Sequence, residues 1–150
     1  MSTDKRTASL ELYIRILFYH MRYSTEEETV PFDITSQQGR LLEIIIKGLE
    51  CGKTITRKYL EETMLIKGSS VTSLLNALVK KGFIKRSISD EDARTLNITV
   101  TPKGERTVEQ IKVLFAEQEE RILAGMTQEE IGQFYGFLEK ACRNAGVEIK

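Results

Sequence analysis

The sequence predicts a mainly α protein with one small β-hairpin, in the order helix, tight turn, helix, hairpin, with further helices on both sides. Three observations predict it. Apolar residues recur at helical spacing along most of the chain. The period changes to about 2 only near residues 83–100, where Leu96, Ile98 and Val100 alternate with Asn97 and Thr99. Helix starts are marked by Thr35, Thr56, Thr101 and Thr127, and helix stops by Gly52, Gly82 and Gly125.

Leu10, Ile14, Leu17, Phe18 and Met21 place a first amphipathic helix over roughly 8–24, ending near the acidic run Glu26–Glu28 and Pro31. Thr35 opens a second helix, with Gln38 positioned to complete a capping box. Leu41, Leu42, Ile44, Ile45 and Leu49 make that helix apolar on more than one side, so it is expected to be central and buried. Lys53-Thr54-Ile55 is short and β-prone. Thr56 is the expected cap of a third helix reaching about Met64. Ser69 or Gly68 is expected to cap a fourth, over about 69–81, whose apolar set is Val71, Leu74, Leu75, Leu78 and Val79. The strand Phe83–Ile88, the polar turn Ser89–Arg94 and a strand at 95–100 form the hairpin. Thr101-Pro102 opens a fifth helix running to about Ala124, with Val108, Ile111, Leu114 and Phe115 on one face. Thr127 and Glu130 form a second capping box, with Met126 and Ile131 as a hydrophobic staple, for a sixth helix reaching about Asn144. Ile131, Phe134, Leu138, Ala141 and Cys142 form its apolar side.

The 150 residues suit one domain able to bury a core without crosslinks. No apolar run is long enough for a membrane span, and the N-terminus lacks a signal-peptide pattern. With Cys51 and Cys142 as reduced thiols, a cytoplasmic protein is expected. Net charge is zero, but unevenly spread. Residues 52–106 carry 11 basic and 6 acidic side chains, whereas 1–51 and 107–150 are both acidic on balance. No Asp or Glu occurs between Glu62 and Asp90, a span holding Lys67, Lys80, Lys81, Lys85 and Arg86. A basic middle between acidic ends fits a DNA-facing module carried on a separate scaffold.

A helix-turn-helix places its second helix in the major groove, which demands one apolar face and one short-chained polar face. Residues 69–81 meet that demand: opposite the apolar stripe lie Ser69, Ser70, Thr72, Ser73 and Asn76, suited to bases and phosphates. At the hairpin tip, Arg94 is suited to the electronegative minor groove, and Asp92 to orienting its guanidinium.

The run Val71–Arg86, the Asp92-Ala93-Arg94 turn and the exit Ile98-Thr99-Val100-Thr101-Pro102-Lys103-Gly104 resemble the MarR (multiple antibiotic resistance regulator) family. Ile34-Thr35 followed by Gln38 also resembles that family's second-helix start, and the likeness extends over essentially the whole chain. It implies a single domain over 1–150 built as a winged helix-turn-helix DNA-binding lobe at 34–101 and a helical dimerisation region at 8–28 and 102–146. It also implies a homodimeric, sequence-specific regulator of transcription, usually a repressor, on a near-palindromic operator. DNA contacts would come from Ser69, Ser70, Thr72, Ser73 and Asn76 on the recognition helix and from Arg94, held by Asp92, on the wing, with Arg86 supporting backbone contacts. A small-molecule effector pocket is implied near the first helix, where Tyr13, His20 and Tyr23 are candidates. Ser73 stands where a basic residue is frequent in the family. Gly39 stands where a larger residue is common, leaving room beside the first helix or marking close backbone approach. The first helix has no cysteine, the position used by peroxide-sensing members.

Enzymatic function is not expected. His20 is the only histidine, no nucleophile–base set can be built around it, and CxxC, HExxH, P-loop and GxGxxG patterns are absent. No cofactor or metal is expected, ligands being too few. The alternative function is a winged helix that binds protein rather than DNA.

Overall fold

The computed structural model describes residues 7–88, 91 and 94–147, with residue 88 described by its backbone alone. Ser9 opens α1 (Leu10–Tyr23), its hydroxyl accepting from Leu12 N at 3.2 Å. The acidic run does not simply end that helix. Glu26–Thr29 forms a short α2, and Val30–Phe32 a single 3-10 turn around Pro31. What holds this segment is a buried hydroxyl pair, Thr25 Oγ1 donating to Ser36 Oγ at 3.1 Å, with Thr29 Oγ1 donating to Glu26 O at 2.9 Å. Neither contact has a periodic signature in sequence.

Helix α3 (Ser36–Glu50) begins with the expected capping box: Gln38 N donates to Thr35 Oγ1 at 3.2 Å, and Thr35 N to Gln38 Oε1 at 3.1 Å. Thr56 caps α4 (Arg57–Met64) by accepting from Tyr59 N at 3.0 Å. Helix α5 spans Gly68–Lys80 and is capped by neither Gly68 nor Ser69. Lys67 takes the cap position without a side-chain bond, so both residues lie in the first turn. Gly68 lies against the Glu61 carboxylate of α4. The turn between the two helices is made by Leu65 in a left-handed conformation (φ 54°), bringing Ile66 N to Glu61 O at 3.3 Å.

The chain divides into two compact units after Phe115. In the first, α3, α4 and α5 pack on one another, and α5 also meets the hairpin. Leu41, Leu42 and Ile45 from α3, Leu60 from α4, and Val71, Leu75 and Leu78 from α5 are fully buried. Each such side chain contributes about 1.5–3 kcal/mol by leaving water. Leu49 and Val79, expected on these apolar faces, are instead exposed, and Leu74 and Ile44 only half-buried. Leu49 falls in the last turn of α3, past the core, while Val79 is rotated about 100° from Leu78 around the helix. Gly39 marks close approach to the helix after the wing rather than room beside α1: a Cβ there would stand 2.6 Å from Ile111 Cδ1.

Helix α5 closes with Gly82 at φ 78°, Phe83 N donating to Leu78 O at 2.9 Å and Gly82 N to Val79 O at 3.0 Å. Strands β1 (Ile84–Ile88) and β2 (Leu96–Val100) then pair antiparallel, with Ile84 opposite Val100 and Arg86 opposite Ile98. The β-prone segment before α4 joins this wing through a bridge between Thr56 and Thr95, with Leu96 N donating to Ile55 O at 2.9 Å.

Helix α6 (Pro102–Ile122) starts from Thr101, whose hydroxyl accepts from Gly104 N at 3.1 Å. The same hydroxyl lies 2.6 Å from Gly82 O and 3.0 Å from Phe83 O, and Thr101 N donates to Phe83 O at 3.1 Å. From α6, Val108 and Ile111 enter the core of the first unit. In the second unit, Thr127 and Glu130 make the expected capping box of α7 (Gln128–Asn144), and Tyr135 donates to the Glu119 carboxylate. That bond raises the Tyr135 pKa, since it favours the neutral phenol. Among the described residues, no helix is long and apolar enough to cross a membrane.

Gly104 faces the Phe83 carbonyl so closely that any side chain would be driven into the backbone. Gly104→Ala is therefore expected to lower unfolding stability by about 2 kcal/mol or more, read from the urea midpoint at constant slope.

Candidate functional site

The helix that the sequence singles out does present a polar face. Val71, Leu75 and Leu78 seat α5 on the core, while Ser69, Ser70, Ser73 and Asn76 are exposed. Thr72 is half-buried, and its hydroxyl donates to Gly68 O at 3.0 Å, one turn back on its own helix. Ser69, Thr72, Ser73 and Asn76 are spaced i, i+3, i+4 and i+7, so they share a face. The positive end of the α5 dipole lies at Ser69 and Ser70, where the cap has no side-chain bond.

Arg86 is joined to this face. Its Nη2 donates to Asn76 Oδ1 at 2.9 Å, linking β1 to α5 through exposed side chains. The two residues were assigned separate tasks from sequence, and only the hairpin register brings them together. Arg94 is exposed at the start of the strand that follows the turn. It lines a concavity of about 430 Å³ with Thr56, Arg57, Lys58 and Leu96. Arg57 and Lys58 were not singled out from the sequence. The available signal was the β-prone segment at 53–55, since its pairing with the wing sets the start of α4 beside Arg94. Asp92, expected to orient Arg94, lies outside the described residues.

A second concavity, about 500 Å³, opens between α1, α3 and the turn joining α4 to α5. Phe18, Met21, Ile44 and Met64 supply apolar wall, and Arg22, Arg40 and Lys47 supply positive charge. Arg40 donates to Met21 O at 3.1 Å and lies over the Phe115 ring, 4.1 Å from its centroid. Desolvation by burial lowers the Arg40 pKa, opposed by the nearby Glu43 charge. The Nε of Arg22 is buried with no hydrogen-bond partner. Tyr13, His20 and Tyr23 do not line this concavity. All three are exposed on α1, with Tyr23 4.7 Å from the Tyr19 ring.

Helix α1 buries none of its residues, although Leu10, Ile14, Ile16, Phe18 and Tyr19 are all large and apolar. In the second unit α7 likewise buries none, and Phe137 is 70% exposed. Cys51 is exposed and Cys142 half-buried.

A helix-turn-helix whose second helix runs into a two-stranded wing is a recurrent architecture, and residues 32–95, which hold α3, α4, α5 and β1 and end just before β2, match the MarR family. This stretch is similar to the MarR family. Across the longer chain, an HTH-type transcriptional regulator of Bacillus subtilis (strain 168), YwhA, is 29% identical over 144 residues, covering 93% of this chain and 98% of that one. Among solved structures, the Staphylococcus aureus MepR–DNA complex superposes with a TM-score of 0.78 at 25% identity, covering 91% of this chain and 96% of that one. The reduced form of MarR from E. coli superposes with a TM-score of 0.72 at 22% identity, covering 91% of this chain and 98% of that one. The expected fold class, mainly α with a small β wing, is thus the observed one, and the MarR-family match spans both α5 and the Arg94 side of the wing.

Proposed function

We propose that this chain is a sequence-specific, double-stranded-DNA-binding regulator of transcription, acting as a homodimer and as a repressor. The observation that carries the reading is the exposed face of α5, built from Ser69, Ser70, Thr72, Ser73 and Asn76 without an acidic residue. Short polar side chains let a helix approach base edges closely. The cations Arg57, Lys58 and Arg94 gather around one concavity at the start of α4, suited to the phosphate backbone and the minor groove. The MarR-family match and the likeness to a MepR–DNA complex support the same reading.

The homodimer is supported by the exposed apolar residues of α1 and α7, which a monomer in water would leave solvated. Segments 8–28 and 102–146 are the proposed dimerisation region, and 34–101 the DNA-binding lobe. Two recognition helices related by a twofold axis read half-sites about 34–36 Å apart, hence a near-palindromic operator. The concavity holding Arg22, Arg40 and Lys47 is the proposed effector site, in place of Tyr13, His20 and Tyr23. A ligand there changes DNA affinity only by preferring one position of the recognition helix over another.

The test is selection from a random duplex pool at moderate salt. An enriched inverted repeat with half-sites one turn apart is the expected result. No enrichment and no salt-sensitive binding would instead favour a protein-binding winged helix. Arg94→Ala and Arg57→Ala should each weaken binding without unfolding the chain. Each should also reduce the slope of log affinity against log salt by about 0.9, the contribution of one phosphate contact. Sedimentation equilibrium should give a dimer, converted to monomer by Ile16→Glu or Phe137→Glu, since either buries a charge in an apolar interface.

A further inference from the structure

The hydrogen bond from Arg86 to Asn76 has a consequence for base selection, which rests on the DNA-binding reading above. We infer that Arg86 turns Asn76 into a reader of keto bases, selecting guanine or thymine over adenine or cytosine at its position. An arginine side chain has donors only, so the Asn76 atom 2.9 Å from Arg86 Nη2 is the carbonyl oxygen, and the amide nitrogen is the end left to meet DNA. An unrestrained asparagine commonly pairs with adenine in a bidentate manner, accepting from N6 and donating to N7. That pairing needs Oδ1 to receive the adenine amino group. Here Oδ1 already receives a charged donor, and the guanidinium beside it disfavours the approach of a further N–H dipole.

What Asn76 presents to the major groove is therefore a donor, its Nδ2 hydrogens. Guanine offers O6 beside N7 and thymine offers O4, whereas cytosine offers the N4 amino donor and adenine, though it keeps N7 as an acceptor, sets the N6 amino donor where guanine has O6. Asn76 shares a helical face with Ser69, Thr72 and Ser73, so it points the way the other proposed base contacts point. Arg86 acts here as a positioning residue, because its effect on base choice passes through the orientation of Asn76.

The test repeats the duplex selection with the full chain and with Asn76→Ala and Arg86→Met, the latter keeping an extended stem without the donors. Both residues are exposed, and thermal melting verifies that each variant is folded. The expected result for the unaltered chain is a symmetry-related pair of positions favouring keto over amino bases by about tenfold. Asn76→Ala should flatten those two positions and leave the rest of the repeat intact. Arg86→Met should keep the dependence on Asn76 but admit adenine to within about threefold of the keto bases, as a freed Oδ1 can accept from N6. A purely structural role for Arg86 would lower affinity equally at all sequences and leave the base preference unchanged, which overturns the inference. It is also overturned if Asn76→Ala alters no position, or if the Asn76-dependent position favours adenine in the unaltered chain. Enrichment of a repeat with either of those outcomes leaves the DNA-binding reading standing. Enrichment of nothing removes both.

Discussion

The structure depends on the contact between the Phe83 carbonyl and the start of α6. Thr101 binds that carbonyl through both its amide and its hydroxyl, while Gly104 lets the first turn of α6 come against it. Phe83 is itself fully buried, and Lys103 lies 4.7 Å from its ring centroid while donating to Lys81 O at 2.7 Å. The end of α5, the root of the wing and the beginning of α6 are thereby held at one point. The direction in which α5 presents its polar face and the position of β1 beside it both follow. Without that junction the hairpin would be an isolated two-stranded ribbon, which is marginal in water.

Charge is gathered at the other end of the wing. A net charge of zero says little about partners, because the basic residues are concentrated in the middle of the sequence and the acidic ones at its ends. Folding sharpens this separation. The bridge between Thr56 and Thr95 collects Arg57, Lys58 and Arg94 from segments far apart in sequence, and the hairpin register sets Arg86 against α5. Such a cluster has meaning for an anionic partner in proportion to how little salt screens it, so its work is at short range, in contact with phosphate.

Helix α1 makes the opposite demand. Its apolar residues point to more than one side and none is buried, although Arg40 ties the helix end to the lobe through Met21 O. A single chain leaves that surface in water, which is the ground of the proposed homodimer. The concavity between α1, α3 and the turn before α5 lies beside this surface, lined by Arg22, Arg40, Met64, Leu65 and Ile66 among others.

The sequence by itself determined the elements whose cause is local. Capping by Thr35, Thr56, Thr101 and Thr127, the glycine stops, the core stripe Val71–Leu75–Leu78 and the strand alternation at 96–100 are all set by neighbours within a turn or two. The polar face of α5 was legible for the same reason, since a helical period assigns faces without knowledge of the rest of the fold. Tertiary structure decided what depends on residues distant in sequence. The short α2 is held by the buried hydrogen bond between Thr25 and Ser36, and the turn into α5 is set by Leu65 in a left-handed conformation. The exposure of Leu49 and Val79 followed from where the core ends. The pairing of Arg86 with Asn76, and the gathering of Arg57 and Lys58 beside Arg94, required strand register. Register and helix packing are choices made by burial across the whole lobe, and no window of sequence a few residues wide contains them.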